Sequence, residues 1–250
     1  MGVFDKASFF TGPEPEPGLS DLAAEGLRSG ALAARGQLNK VAGTVMDSVG
    51  LDGSGRNAAA LRDQALAQAE GRDLVPLSDV HDVTSGLRYG AGAVGQMLPM
   101  AGAAVGAGLL TRSPSAALKA GTAVTAPFEL GGQLQRQEQD PENLWATPGE
   151  RLRAATPAAV AAAAAQNIIP AGVASRMAGR AAAGGAKEIA LRAAADIPAN
   201  AVASGAAEGV RQLGDQQLNP NAPFHPEAIK EVAIEGGAMG AVFGGLGAVG

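Results

Sequence analysis

Apolar residues recur three or four positions apart along most of this chain, and runs that alternate as a strand would are few. From Ser20 the series Leu22, Leu27, Ala31, Ala34, Leu38, Val41, Val45 and Val49 marks a helix that stops in LDGSGRN at 51–57. A shorter helix follows, with Ala58, Leu61, Ala65 and Ala69 on one side and Gly71 at its end. Leu77, Val80, Val83 and Leu87 open another near Ser78. Beyond it, prolines divide the chain into helix-sized pieces. Ser113-Pro114 and Thr147-Pro148 each read as an N-cap followed by a proline in the first turn. The spacing predicts helices near 78–98, 100–111, 113–139 with a break by Pro127, 148–168, 171–195, 199–218 and 226–250.

This is the pattern of an all-α chain in three parts. Residues 1–18 form a terminal peptide whose TGPEPEPG stretch at 11–18 reads as an extended Pro/Glu linker. Phe4, Phe9 and Phe10 precede that linker, half of the six phenylalanines in the chain, and are expected to dock on a partner. Residues 19–75 form a helical N-terminal region, and residues 76–250 an Ala/Gly-rich helical region with glycine-zipper segments.

Composition changes what kind of bundle this is. Of 250 residues 56 are alanine and 36 glycine, while aromatics make up only 3%. Burying a large side chain is worth about 1.5 to 3 kcal/mol, and few such side chains are present. The expectation is an elongated Ala/Gly-rich bundle whose helices press together through small residues and are completed by oligomerisation.

Tyr89 to Thr111 are 23 positions without a charge between Arg88 and Arg112, and three readings compete for them. Gly90-x-Gly92-x-x-Gly95 matches a dinucleotide fingerprint. That motif needs a preceding strand and an acidic residue about 20 positions on. The preceding pattern is helical, and no Asp or Glu lies between Asp82 and Glu129. The length suits a bilayer, as do the uncharged runs at 154–175 and at the end of the chain. Alanine and glycine, however, supply little insertion energy, and Pro99 and Pro157 interrupt the first two runs. Close packing needs the fewest assumptions. Gly92, Gly95, Gly102 and Gly106 are small residues suited to a helix contact, and Gly236, Gly240 and Gly244 repeat the spacing near the end. The same segments stay compatible with conditional membrane entry.

No catalytic chemistry stands out. The chain has no cysteine, which removes thiol catalysis and zinc–thiolate sites. His81 and His225 have no partner at ligand spacing, and Asp52, Ser54 and Asn57 lack the glutamate that would close a calcium loop. Glu208 and Asp215, seven apart, read as a solvated helix face. No enzyme, cofactor or metal is expected. The net charge of −5 argues against holding DNA through its phosphates, although residues 151–215 carry seven basic and four acidic side chains. MGVFDKASFF has neither the basic start of a secretory signal nor, with Lys6, the myristoylation motif.

The order of segments from residue 77 resembles the Ala/Gly-rich helical regions of bacteriophage internal virion proteins, the DNA-ejection proteins of short-tailed phages, and is similar to segments of very large polyvalent phage proteins. It runs from VHDVTSGLRYGAGAVGQMLPMAGAAVGAGLL through GGQLQRQEQDPENLWATPGERLRAA to SGAAEGVRQLGDQQLNPNAPFHPEAIKEVAIEGGAMGAVFGGLGAVG. The likeness implies a protein stored in the virion, in the capsid interior or the portal and tail region, and released into the host cell envelope. There it would assemble with itself and sister ejection proteins into a conduit. Genomic DNA would pass through the lumen without sequence-specific binding. Two other readings fit an all-α chain of this composition: a bacterial pore-forming or envelope protein, and a capsid or tail filler without a channel.

Overall fold

The computed structural model describes residues 17–111, 113–180 and 186–249. Among these there are seven α-helices and no strand: α1 (Leu19–Ser48), α2 (Ser54–Glu70), α3 (Val83–Thr111), α4 (Pro114–Gln139), α5 (Pro148–Arg180), α6 (Ala186–Leu218) and α7 (Pro226–Val249). Phe4, Phe9 and Phe10 lie outside the described residues.

Local chemistry accounts for the ends. Gly50, at a φ of +78°, closes α1 in the left-handed region that glycine enters without strain. The Leu51 and Gly50 amides then donate to the Met46 and Asp47 carbonyls at 2.9 and 3.2 Å, the two bonds of a Schellman turn. Ser113 and Thr147 cap α4 and α5 as expected, with Ala116 N–H to Ser113 Oγ and Glu150 N–H to Thr147 Oγ1 both 3.3 Å. Thr147 N–H returns to Glu150 Oε2 at 2.9 Å, completing a capping box. A reciprocal pair between Asp82 and Ser85 starts α3 at Val83, later than the sequence suggests, because Leu77–Asp79 form a separate 3₁₀ turn.

The prolines do not divide the helices as expected. α3, α4 and α6 run through Pro99, Pro127 and Pro198, and α5 runs through Pro170, where a division between 168 and 171 was expected. A proline inside a helix forfeits one hydrogen bond and crowds the previous turn. Here each of these helices packs on others, and packing outweighs the local loss.

α6 packs on α7 and α5, α4 packs on α5 and α3, and α1 packs on α2, α3 and α4. Residues 19–75 and 76–250 therefore share extensive contacts. Glycine sets the closeness of the α1–α3 contact. A Cβ at Gly26 would fall inside contact distance of the Gly92 carbonyl, one at Gly30 would meet the Gln96 backbone, and one at Gly95 the Ala23 carbonyl.

The side chains are distributed against the usual order. The largest fully buried side chains are Leu22, Leu134, Gln133, Gln137, Asn143, Asn167, Thr44 and Asp63, so six of eight are polar. Meanwhile Val202 and Leu61 are 72% and 65% exposed. On α1, Leu27, Leu38 and Val45 point outward, while the buried face holds only Leu22 and Ala34 of the apolar series, together with Gly26, Ser29, Gly30, Gly36, Lys40, Gly43 and Thr44. On α2, the side formed by Ala58, Leu61, Ala65 and Ala69 is the exposed one, and Ala60, Asp63 and Ala67 are buried. Helical periodicity was right about the element and silent about which face turns inward.

Candidate functional site: a buried polar seam

The chemistry of the molecule is concentrated between helices. On α4, Glu129, Gln133, Arg136 and Gln137 fall at helical spacing on one face; on α6, Glu208, Arg211, Gln212 and Asp215 do the same. The two rows meet. Arg211 pairs with Glu129 at 2.5 Å and Glu208 at 3.4 Å, and Arg136 reaches Glu208 at 3.3 Å and Asp215 at 3.8 Å. Gln133 donates from Nε2 to Asp215 Oδ1 at 2.6 Å and to the Arg211 carbonyl at 3.1 Å. Gln212 extends the row toward α7, accepting from His225 N–H at 2.8 Å and donating to the His225 carbonyl at 3.2 Å.

Burial gives this seam its electrostatic character. The Asp215 carboxyl is pushed up to about 6, chiefly because burial disfavours its charged form, with Arg136 opposing. The Arg211 guanidinium is held above its ordinary range by Glu129 and Glu208, against the opposing and largest effect of burial. Glu208 is 8% exposed, so the solvated face expected for Glu208 and Asp215 is instead an interior contact.

Two smaller centres tie α1 into the assembly. The Lys40 ammonium pairs with Glu138 of α4, and Glu138 also meets Arg151 of α5 at 3.4 Å. Asp63 on α2 is fully buried and holds Arg35 through two bonds of 2.8 and 2.7 Å, with Asn39 and Arg62 each at 3.1 Å. The Arg35 guanidinium keeps the Asp63 carboxyl below the usual carboxylate range.

The glycines named from the sequence divide into groups. Gly92 and Gly95 sit at the α1 contact, Gly92 also meeting Leu74. Gly236 packs α7 against Ser204 and Asn200 of α6. A Cβ at Gly102 or Gly106 would meet nothing within 4 Å, so the close approach expected there lies about two to four turns earlier, at Gly95 and Gly92. Across the contact Gly26 meets Gly92 and Gly30 meets Gln96, and the spacing of these two α1 glycines is in the sequence but lies in a segment read for its apolar residues. The packing of Gly240 and Gly244 lies outside the described residues.

The dinucleotide geometry has no place here, since Gly90–Gly95 are interior to α3. Among the described residues no helix is long and apolar enough to cross a membrane, and no group of three or more His, Cys, Asp or Glu stands ready for a metal ion. His81 and His225 are exposed, engaged through their backbones. What the seam does chemically is hold helices in register: buried pairs satisfy one another only in one alignment, and removing one partner strands the other charge. The polar spacing on both helices was readable, but the facing of one row to the other is a product of the fold. No family model, curated protein or solved structure matches this chain.

Proposed function

We propose that this chain is a structural protein of a phage virion, ejected on infection to form part of an oligomeric helical conduit across the host envelope. One observation supports this reading most: polar side chains make up most of the large fully buried residues, while many leucines and valines remain outside. A chain built this way has apolar surface left for copies of itself, sister proteins or lipid. Its helices meet partly through backbone and polar pairs, so they hold a fixed alignment without a large greasy core. The order of Ala/Gly-rich segments around the Gln-rich connector adds the virion to that reading.

The test is location and assembly together. Virions of the source phage, analysed by mass spectrometry before and after infection, should carry the protein first in the particle and then in the host envelope fraction. The purified chain should crosslink into closed oligomers on vesicles and release an encapsulated dye. A chain absent from virions would refute the proposal. So would one that stays monomeric on vesicles and leaves them intact.

A further inference from the structure

We infer that the α4–α6 seam is a proton-dependent latch: with one proton bound at Asp215 it holds α6 and α7 against α4, and without that proton it loosens. This goes beyond the proposed function and holds whether or not the chain travels in a virion.

The charges in the seam do not balance. Among the described residues, Glu129, Glu208 and Asp215 share two guanidiniums, Arg136 and Arg211, so the seam carries one negative charge in excess until a proton arrives. Geometry selects the carboxylate that takes it. Glu129 holds Arg211, and Glu208 reaches both arginines, whereas Asp215 has only the longer 3.8 Å approach to Arg136. The amides around Asp215 suit a neutral acid. Gln133 donates from Nε2 to Asp215 Oδ1, yet its Oε1 is buried without a donor, so one side chain offers both halves of a carboxylic acid–amide pair. Gln137 stands beside the same carboxyl, fully buried, and its Oε1 also lacks a donor. An ionised carboxylate only accepts and leaves both amide oxygens stranded; a protonated one donates to one of them. The Arg136 and Asp215 side chains are 42% and 18% exposed, so the proton has a path to solvent.

Among the described residues the neighbouring elements bring no further cation to Asp215. Asp140, at the end of α4, adds negative charge and is engaged by Glu142 and Asn143. α5 presents Ala154 and Ala158 here, and its Arg151 is held by Glu138. On α7, Glu227, Lys230, Glu231 and Glu235 are exposed, and His225 meets Gln212 through its backbone. α6 itself meets α5 through small residues at this point, Gly214 lying against Ala158 and the Ala154 carbonyl. Such a contact buries little apolar area, so the long side chains of the seam weigh heavily in holding α6, and α7 packs on α6 and goes with it.

Hydrogen exchange of the full chain at about pH 5 and about pH 7.5, corrected for the intrinsic pH dependence of exchange, tests this. Burial keeps the Asp215 proton up to about 6, against 3.8 once the carboxyl is released. Opening that frees the carboxyl is suppressed while the proton is bound, so amides of α6 and α7 should exchange about tenfold faster at the higher pH. Amides of α2, which packs on α1 away from the seam, should stay level. Asp215→Asn, neutral at both pH values, should exchange alike at both. Arg136→Gln removes the opposing cation and should move the midpoint to higher pH. Exchange of α6 and α7 indifferent to pH, or a rise shared equally by α2, would overturn the inference, and the parent chain gives both readings even where a variant fails to fold. So would an Asp215→Asn chain that keeps the tenfold step.

Discussion

Adding a single methyl group at Gly95 should loosen the α1–α3 contact. A Cβ built there would lie inside contact distance of the Ala23 carbonyl and 2.8 Å from the Leu27 amide nitrogen. Both are backbone atoms of α1, so no side chain can swing away and the helices must separate. Moving packed surfaces apart by about 0.5 to 1 Å forfeits a quarter to a half of their dispersion contact, and overpacking of this kind costs about 1 to 3 kcal/mol. Alanine returns up to about 1 kcal/mol through its better helix propensity. The net expectation for Gly95→Ala is a loss of about 1 to 2 kcal/mol, or a fall in Tm of roughly 2 to 8 °C for a chain of this size. Gly30→Ala, aimed at the Gln96 Cα from the other side at 2.8 Å, should behave alike. Once one methyl has opened the gap, the second should cost less, so the double variant should fall short of additivity. Gly102→Ala is the control. With nothing within 4 Å it should gain up to about 1 kcal/mol from propensity alone. Thermal and urea unfolding followed by far-ultraviolet circular dichroism would measure all four proteins. A Gly95→Ala protein melting at or above the parent, or a Gly102→Ala protein losing as much as Gly95→Ala, would refute the reasoning.

Other perturbations probe the polar contacts. Because burial raises the Asp215 carboxyl to about 6 from an ordinary 3.8, the folded state binds that proton more tightly. Stability from this group therefore falls as pH rises from about 4 to 6, by about 3 kcal/mol in all; Asp215→Asn should flatten that slope in urea titrations, and an unchanged slope would count against the assignment. Asp63 has the opposite sign. Its lowered carboxyl contributes stability present above its unfolded value and lost as pH falls through the folded one, so Asp63→Asn should remove that acid-side loss. Lys40→Met should destabilise by about 3 kcal/mol by leaving Glu138 one cation fewer, and Lys40→Met with Glu138→Leu should regain much of it; a double variant as unstable as the single one would show that the pair does more than cancel its own burial.

How much of this was legible follows from what each signal measures. Caps and stops are local, and Ser113-Pro114, Thr147-Pro148 and Gly71 marked real helix boundaries. Prolines 99, 127, 170 and 198 misled because a local cost was weighed without the neighbours that offset it. The apolar face of a helix is a reliable guide to its interior only when large side chains supply the packing energy. In α1 glycine supplies it instead: Gly26 and Gly30 let the backbone of α3 in, and a helix that approaches this closely turns its small face inward. Leucine and valine are then left on the far side by geometry, about half a turn away. The same closeness explains the polar interior. Where Gln133 and Arg136 of α4 meet Asp215 of α6, contact at longer range passes to side chains that reach and pair. Glycine crossings and paired polar seams are thus two answers to one shortage of large apolar residues, and many of the leucines and valines that do exist are left at the surface.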